Sequence, residues 1–454
     1  MIALYAIFAF SQLTTYPRLW LDEGFKMQLA RNFSETGTMG TQFEPGKLEY
    51  SVHNASTGWP VVLMLGAFFK IFGVSFATGR LFSALILIIF VTLVYFLIKR
   101  EWGSTPALFS LLLFVTYAPL YANGKMILAE IPGLLFLLLG LLFISLGGKA
   151  AKLSYFFFGL FAASKLAFTA TFLPALAIGL AFAIYCKQIN WKQAISSMCI
   201  TVALVLPTIY MSLVSNLGSQ SLANPYGQAS LVQTIISNLK LFFSSSTLWH
   251  MIFLLFVTCW ALVVTYQKGN RDWRGVTLVC FGTLTFAYWL VSPGVFRYLL
   301  PLILILLAIF PTALFQTFSV TGYPKVAKAL VFGLVLVQGW HFATSASISH
   351  GNDYLRFEKY LQDNPIPSDK SVGIINSPFA PVIVPRENMS QFVRIDAIEE
   401  GKNPLDAKKE KLPDYLIYET ENLELDITPY YFHIIEPLYK KIADFDQIIV
   451  WQKI

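Results

Sequence analysis

A chain of 454 residues that is 56% hydrophobic and only 13% charged is too poor in charge for a water-soluble protein, where about 25% of residues are charged. Its apolar residues gather in runs of transmembrane length, which reads as a polytopic membrane protein surrounded by membrane lipids. The net charge of +7 does not point to nucleic acid, because much of it falls in short loops between the runs, as the cytoplasmic bias of Lys and Arg requires.

In chain order, Ile2–Phe10 is an apolar run without a basic region before it or a small-residue cleavage site. It reads as a retained first span continuing to about Tyr16, or as the remnant of a truncated start. A polar first outer loop follows, about 14–80. Within it Gly58 to Gly73, short and interrupted by Lys70, reads as an interfacial helix. Spans are expected at roughly 81–98, 106–122, 130–147, 194–215, 248–266, 276–292, 297–318 and 326–345. Residues 153–186 are almost unbroken apolar sequence interrupted at Ser164-Lys165, and fit either one long helix or two short spans.

Loop charge decides between these. Basic clusters stand at Lys99/Arg100, Lys149/Lys152, Lys187/Lys192, Lys268/Arg271/Arg274 and Lys325/Lys328. With all of them in the cytoplasm, the number of crossings between successive clusters must be even. Residues 153–186 then form a tight hairpin turning at Lys165. The expected total is about 11 transmembrane helices, with the N-terminus inside and the C-terminus outside.

The segment 1–345 is therefore read as a transmembrane domain and 346–454 as a soluble extracytoplasmic α/β domain. In the latter, Asp353–Asp363 reads as a helix, and Ser371–Asn376, Tyr415–Glu419 and Gln447–Gln452 read as strands. Cys186, Cys199, Cys259 and Cys280 lie in or beside apolar segments without metal-ligand spacing, so neither disulfides nor structural zinc is expected. The sequons at Asn32, Asn54 and Asn388 arise often by chance and carry little weight.

This topology exposes a set of charges on the side where cations are scarce. Lys125, Lys165, Lys240 and Arg297 stand alone in short outer loops, and Asp22, Glu23 and Glu130 face the same side. Snorkelling from a helix end accounts for a lone Lys, Lys240 above all. A helix N-terminus accounts for Glu130, and for Asp22 as N-cap of a helix running to Arg31. Ionisable groups near hydrocarbon are nevertheless functional candidates, and an arginine such as Arg297 suits phosphate. Carboxylates beside several cations suit sugar transfer from a phosphate leaving group. The cations hold the phosphate, and one carboxylate takes a proton from an acceptor hydroxyl.

Several motifs carry a family resemblance. They are Trp20-x-Asp22-Glu23-Gly24, Gly73-x-Ser75 leading to Arg80-Leu81, Glu130 opening a span, Ser164-Lys165 in a hairpin, and Arg297-Tyr298-x-x-Pro301 heading a late span. In these, and in the order of parts over most of the chain, the sequence resembles the C-type (GT-C) integral-membrane glycosyltransferases, nearest the protein O-mannosyltransferase and lipid A aminoarabinose transferase branches. The resemblance implies a polyprenyl-phosphate sugar donor and inverting transfer to a protein, lipid or glycan acceptor outside the membrane. It implies Asp22 as base, with Glu23 also at the catalytic centre, and Glu23 or Glu130 positioning the acceptor or a metal. Arg297 and Lys165 would hold the donor phosphate, with Lys125 and Tyr298 as further candidates. The family often has Arg near Lys125 and Asp at Glu130; a lysine lacks the planar fork of arginine. A divalent metal ion, used by some members, would draw on Asp22, Glu23, Glu130 and His53, although His53 reads more simply as a polar loop residue. A transporter or flippase of an anionic lipid-linked sugar would share the cations. It would place charges near mid-membrane and carry an internal repeat, and the sequence has neither. A non-catalytic scaffold would leave Asp22-Glu23 without a task.

Overall fold

The computed structural model describes residues 2–49, 57–217, 231–244, 272–292, 296–320, 323–344, 351–375, 377, 379–385, 387–392, 412–419 and 438–454. The chain begins with α1 (Ile2–Phe10) and α2 (Leu21–Thr36), followed by a hairpin of β1 (Thr41–Glu44) and β2 (Lys47–Glu49). Next come α3 (Trp59–Phe72), α4 (Phe76–Trp102), α5 (Ser104–Thr116), α6 (Ala118–Lys125) and α7 (Glu130–Leu146). After these lie α8 (Leu153–Ala163), α9 (Leu166–Tyr185), α10 (Trp191–Leu217), α11 (Leu231–Ser244), α12 (Trp273–Val291), α13 (Leu300–Val320) and α14 (Pro324–Thr344). The C-terminal region carries α15 (Asp353–Asp363), β3 (Val372–Ile375), α16 (Ala380–Ile383), β4 (Met389–Phe392), β5 (Tyr415–Glu419), β6 (Tyr439–Phe445) and β7 (Ile448–Lys453).

The protein is a multi-pass membrane protein. Six described helices are long and apolar enough to cross a bilayer, or seven if α5 and α6 form one broken span. The expected count of eleven is not reached among the described residues, for particular reasons. Helix α1 stops at Phe10 instead of Tyr16. Helix α7 has 17 residues, which rise about 26 Å against a hydrocarbon core of about 30 Å. The expected span at 248–266 lies outside the described residues. The expected span at 106–122 is bent by 68° between α5 and α6. Pro119 has no N–H to donate to a helix continuing from Val115, so the run restarts there. The short helix expected between Gly58 and Gly73 is present as α3, and the break at Ser164-Lys165 separates α8 from α9 as expected.

In lipid, burying apolar surface does not drive helices together, so association depends on close packing. Helix α9 lies against α12, α8 against α7 and α10, and α4 against α5, around one apolar cluster that includes Phe158, Phe161, Phe172 and Phe281. Gly179 allows the α9–α12 approach, since a Cβ there would stand 1.8 Å from Thr277 Oγ1. Gly58 does the same for the site. Its N–H donates to Ser164 O at 2.9 Å, and a Cβ would stand 1.6 Å from Ala163 O. Gly58→Ala forces this loop away from the Lys165 turn. Overpacking of this kind costs about 1–3 kcal/mol, so the melting temperature of the detergent-solubilised protein is expected to fall by several degrees. An unchanged melting temperature would show that the approach is not needed.

The C-terminal region is a five-stranded sheet in the order β4-β3-β5-β7-β6. Strand β3 runs parallel to β4 and β5, while β7 runs antiparallel to β5 and β6. Helix α15 occupies the expected span. The sheet region does not have a core to itself. Met27 and Leu29 of α2, Phe69 of α3 and Phe76 of α4 pack in one cluster with Phe357, Ile374, Phe379 and Ile417. Polar contacts join the same parts. Arg18 pairs with Asp353 at 2.7 Å, and Gln28 Nε2 donates to Gln391 Oε1 at 2.9 Å. Arg31 Nη1 donates to Pro381 O at 2.8 Å and to Val384 O at 3.0 Å. Asn32, the first sequon, is buried and donates to Gly40 O.

Candidate active site

The N-terminus of α2 sets the first two carboxylates. The helix runs Leu21–Thr36 with Trp20 as its N-cap, so Asp22 is not the cap and the helix extends past Arg31. Trp20 N–H donates to Glu23 Oε1 at 2.9 Å, which closes the first turn. Gly37, at φ 75°, ends the helix in the left-handed conformation that glycine adopts without a Cβ penalty.

Glu23 is fully enclosed. Arg80 Nη2 donates to its Oε1 at 2.7 Å and Ile127 N–H to its Oε2 at 2.8 Å, with both side chains of the Glu23–Arg80 pair fully buried. Arg80 stands just after the first turn of α4, which Ser75 caps by accepting from Thr78 N–H at 3.0 Å. Glu23 thus ties together the start of α2, the start of α4 and the stretch leading into α7. That tie fixes the positions of Asp22 and Glu130 on either side of it.

The remaining charges form an alternating chain. Lys26, one turn after Asp22, has its Nζ 3.9 Å from Asp22 Oδ2. Arg297, in the 3₁₀ turn Phe296–Tyr298, forms an ion pair with Asp22 through Nη1 and has Nε 3.9 Å from Glu130 Oε1. Arg297 Nε is buried and has no hydrogen-bond partner among the described residues. Glu130 opens α7 and accepts a short hydrogen bond from Lys165 Nζ. Lys165 sits in the extended break between α8 and α9, its Nζ 4.5 Å from the centre of the Tyr298 ring. The aromatic face attracts the ammonium. The order is therefore Lys26, Asp22, Arg297, Glu130, Lys165, with Tyr298 beneath the last cations.

The three carboxylates differ in access. The Asp22 side chain is 25% exposed, against 3% for Glu130 and none for Glu23. Asp22 is the most exposed of the three carboxylates. Burial pushes the Lys26 ammonium down to about 8, with Asp22 and Glu130 pulling it back up and Arg297 and Lys165 pushing it further down.

The structure thus brings together Asp22, Glu130, Lys165, Arg297 and Tyr298 from the sequence-derived set. It does not bring Lys125 to them. Lys125 is buried at the end of α6, where its Nζ donates to Ser11 O at 2.6 Å and to Tyr121 Oη at 3.1 Å. His53 lies outside the described residues. Lys26 escaped the sequence reading, although its place four residues after Asp22 on a helix was a usable signal. Arg80 was noticed as part of a motif, but not as the partner of Glu23.

Among the described residues, the carboxylates of the cluster are committed to cations. Asp22 and Glu130 already face three cations, and no three of His, Cys, Asp and Glu converge among the described residues. The arrangement suits an anion instead, because three cations outnumber the two carboxylates between them.

Helix composition and this charged cluster at the helix ends define a polytopic membrane protein with a site at one end of its bundle. Residues 60–214 match the family described as dolichyl-phosphate-mannose-protein mannosyltransferase. No curated protein matches the chain in sequence. Among solved structures, ArnT from Cupriavidus metallidurans in the apo state is similar with a TM-score of 0.64 at 12% identity, over 100% of this chain and 97% of ArnT. ArnT bound to undecaprenyl phosphate gives 0.59 at 12% identity over the same shares, 100% and 97%. The Archaeoglobus fulgidus oligosaccharyltransferase in complex with Zn and sulfate gives 0.62 at 11% identity, over 95% of this chain and 69% of that one. The chain has the GT-C glycosyltransferase fold.

Proposed function

We propose that this protein is a membrane glycosyltransferase. It takes a sugar from a polyprenyl-phosphate donor and passes it, with inversion, to a hydroxyl of a protein, lipid or glycan on the extracytoplasmic face. The observation that carries this reading is the access of Asp22, a partly exposed carboxylate among three cations. The undecaprenyl phosphate bound by ArnT supports a donor of the same chemical class here.

In the step itself, the acceptor oxygen forms a bond to the anomeric carbon as the bond from that carbon to the phosphate oxygen breaks. The electron pair leaves with the phosphate, and the acceptor proton passes to Asp22. Arg297 and Lys165 hold the phosphate and stabilise the charge that grows on it. Each starts paired to a carboxylate. A bound phosphate competes for Arg297, which loosens its hold on Asp22 and makes that carboxylate a better base. Glu130 orients Lys165 and Arg297, and Glu23 locks the scaffold through Arg80. The flippase reading lacks this support, because the cluster lies at helix starts and breaks and not within a span.

The test is incubation of the purified chain with polyprenyl-phosphate-linked sugars and candidate acceptors. Release of free polyprenyl phosphate together with glycosylated acceptor is expected. Binding of the lipid without release or transfer, across a panel of sugars, would favour transport over transfer. Orientation has its own test. Lys240 is exposed on α11, and a cysteine placed there in a cysteine-free background should react with a membrane-impermeant maleimide from the extracytoplasmic side. Labelling only after the cytoplasmic side is opened would invert the topology.

A further inference from the structure

We propose that Lys26 is a third cation of the donor-phosphate subsite, and that it sets the charge of the pocket to match a phosphodiester. The inference rests on the glycosyltransferase reading and deepens it.

The first observation is that Lys26 is under-partnered. Its side chain is 8% exposed, and its one ion pair among the described residues is the 3.9 Å approach to Asp22 Oδ2. That separation exceeds a hydrogen bond. An ammonium has three donors, and buried polar groups are normally satisfied. Lys165 is hydrogen-bonded to Glu130, and Arg297 is ion-paired with Asp22 while its Nε has no hydrogen-bond partner among the described residues. Lys26, like Arg297, has donors to spare, and it faces the same cluster.

The second observation is the charge count. Asp22 and Glu130 carry two negative charges, and Lys26, Lys165 and Arg297 carry three positive ones. Among the described residues of the cluster the excess is one positive charge, and it vanishes without Lys26. A polyprenyl-phosphate sugar is a phosphodiester with one negative charge, which neutralises that excess. Transfer preserves the balance. The phosphate gains a negative charge when the sugar leaves, and Asp22 loses one when it takes the acceptor proton. Lys26 is paired to Asp22 before the step and has the phosphate as its counter-ion after it. Without Lys26, the phosphate monoester product would leave the pocket with a buried negative excess, which is costly in a low-dielectric site.

The same geometry would arise if Lys26 merely tethered Asp22 across one helical turn. The two roles separate when Asp22 is neutralised, because a tether then has nothing to hold. The experiment measures equilibrium binding of undecaprenyl phosphate to the full-length protein in detergent, for wild type, Lys26→Met, Lys26→Gln and Lys26→Arg, each alone and with Asp22→Asn. Loss of a charge-assisted contact is expected to weaken binding about tenfold or more in both Lys26→Met and Lys26→Gln. The loss should persist in the Asp22→Asn background, and Lys26→Arg should recover most of it. Monodisperse elution guards against misfolding, and either neutral variant suffices if the other fails to fold. Wild-type affinity in the neutral variants, or a loss that disappears with Asp22→Asn, overturns the proposal and leaves the glycosyltransferase reading intact. Failure of wild type to bind undecaprenyl phosphate overturns both.

Discussion

Asp22→Asn should reduce sugar transfer by about 100- to 10,000-fold, the range that a general base contributes, while the protein folds and still binds polyprenyl phosphate. The reason lies in the difference between Asp22 and its neighbours. Asp22 is a quarter exposed, and its carboxylate meets Arg297 and Lys26. An asparagine keeps the shape and the carbonyl oxygen but cannot take the acceptor proton. Removing the charge also frees Arg297 for the phosphate, so lipid binding should hold steady or tighten. The diagnostic result is therefore a collapse of turnover with intact binding. Transfer near the wild-type rate would rule out Asp22 as the base. A parallel loss of binding and melting temperature would make it a structural residue.

Arg80→Met should cost a large part of the protein's stability, not just its activity. It strands the Glu23 carboxylate in a pocket from which solvent is excluded on every side. Breaking a buried pair by removing one partner costs about 3–5 kcal/mol, a large part of the 5–15 kcal/mol that holds a typical domain folded. The expected outcome is a sharp fall in monodisperse protein on size-exclusion chromatography. Glu23→Gln should behave similarly, since it leaves the guanidinium unpaired, although its amide oxygen can still accept from Trp20 or Ile127. Combining the two substitutions removes both stranded charges, and the double variant should be more stable than the sum of the single losses predicts. Single variants as stable as wild type would mean that the pair does not hold the three segments together.

Asp22 and Glu23 are adjacent, and the sequence offers no local reason to separate them. Both carboxylates stand out in an apolar chain, as do Glu130, Lys165 and Arg297, because ionisable groups near lipid are rare. What decides their roles is tertiary. The partner of Glu23 lies 57 residues away in Arg80. Lys125 and Lys165 are each a lone cation in a short loop, and the sequence could only rank Lys165 above Lys125; in the fold one donates to Ser11 O, 114 residues distant, and the other to Glu130. Lys26 stayed hidden because a single lysine on a polar helix is unremarkable until its depth is known.

The sheet divides in the same physical way. Its three central strands, β3, β5 and β7, were legible as runs of Ile, Val and Tyr, since strands covered on both faces are continuously apolar. The edge strands, β4 and β6, were not. Met389-Ser390-Gln391-Phe392 and the Tyr-Lys-Lys-Ile-Ala-Asp-Phe of β6 carry the polar residues that edges tolerate, and these erase the pattern.

The engagement of α2 with the sheet region also orders events during synthesis. The helix that bears Asp22 and Lys26 leaves the ribosome long before the sheet region is made. The partner of its Gln28 is Gln391, 363 residues later, and Arg31 waits for carbonyls at Pro381 and Val384. At about 5–20 residues per second, the nascent helix spends tens of seconds or longer with those groups uncovered. The unfinished chain is therefore expected to hold no ordered active site, and a ribosome stalled before the sheet is complete would leave an inert product in the membrane.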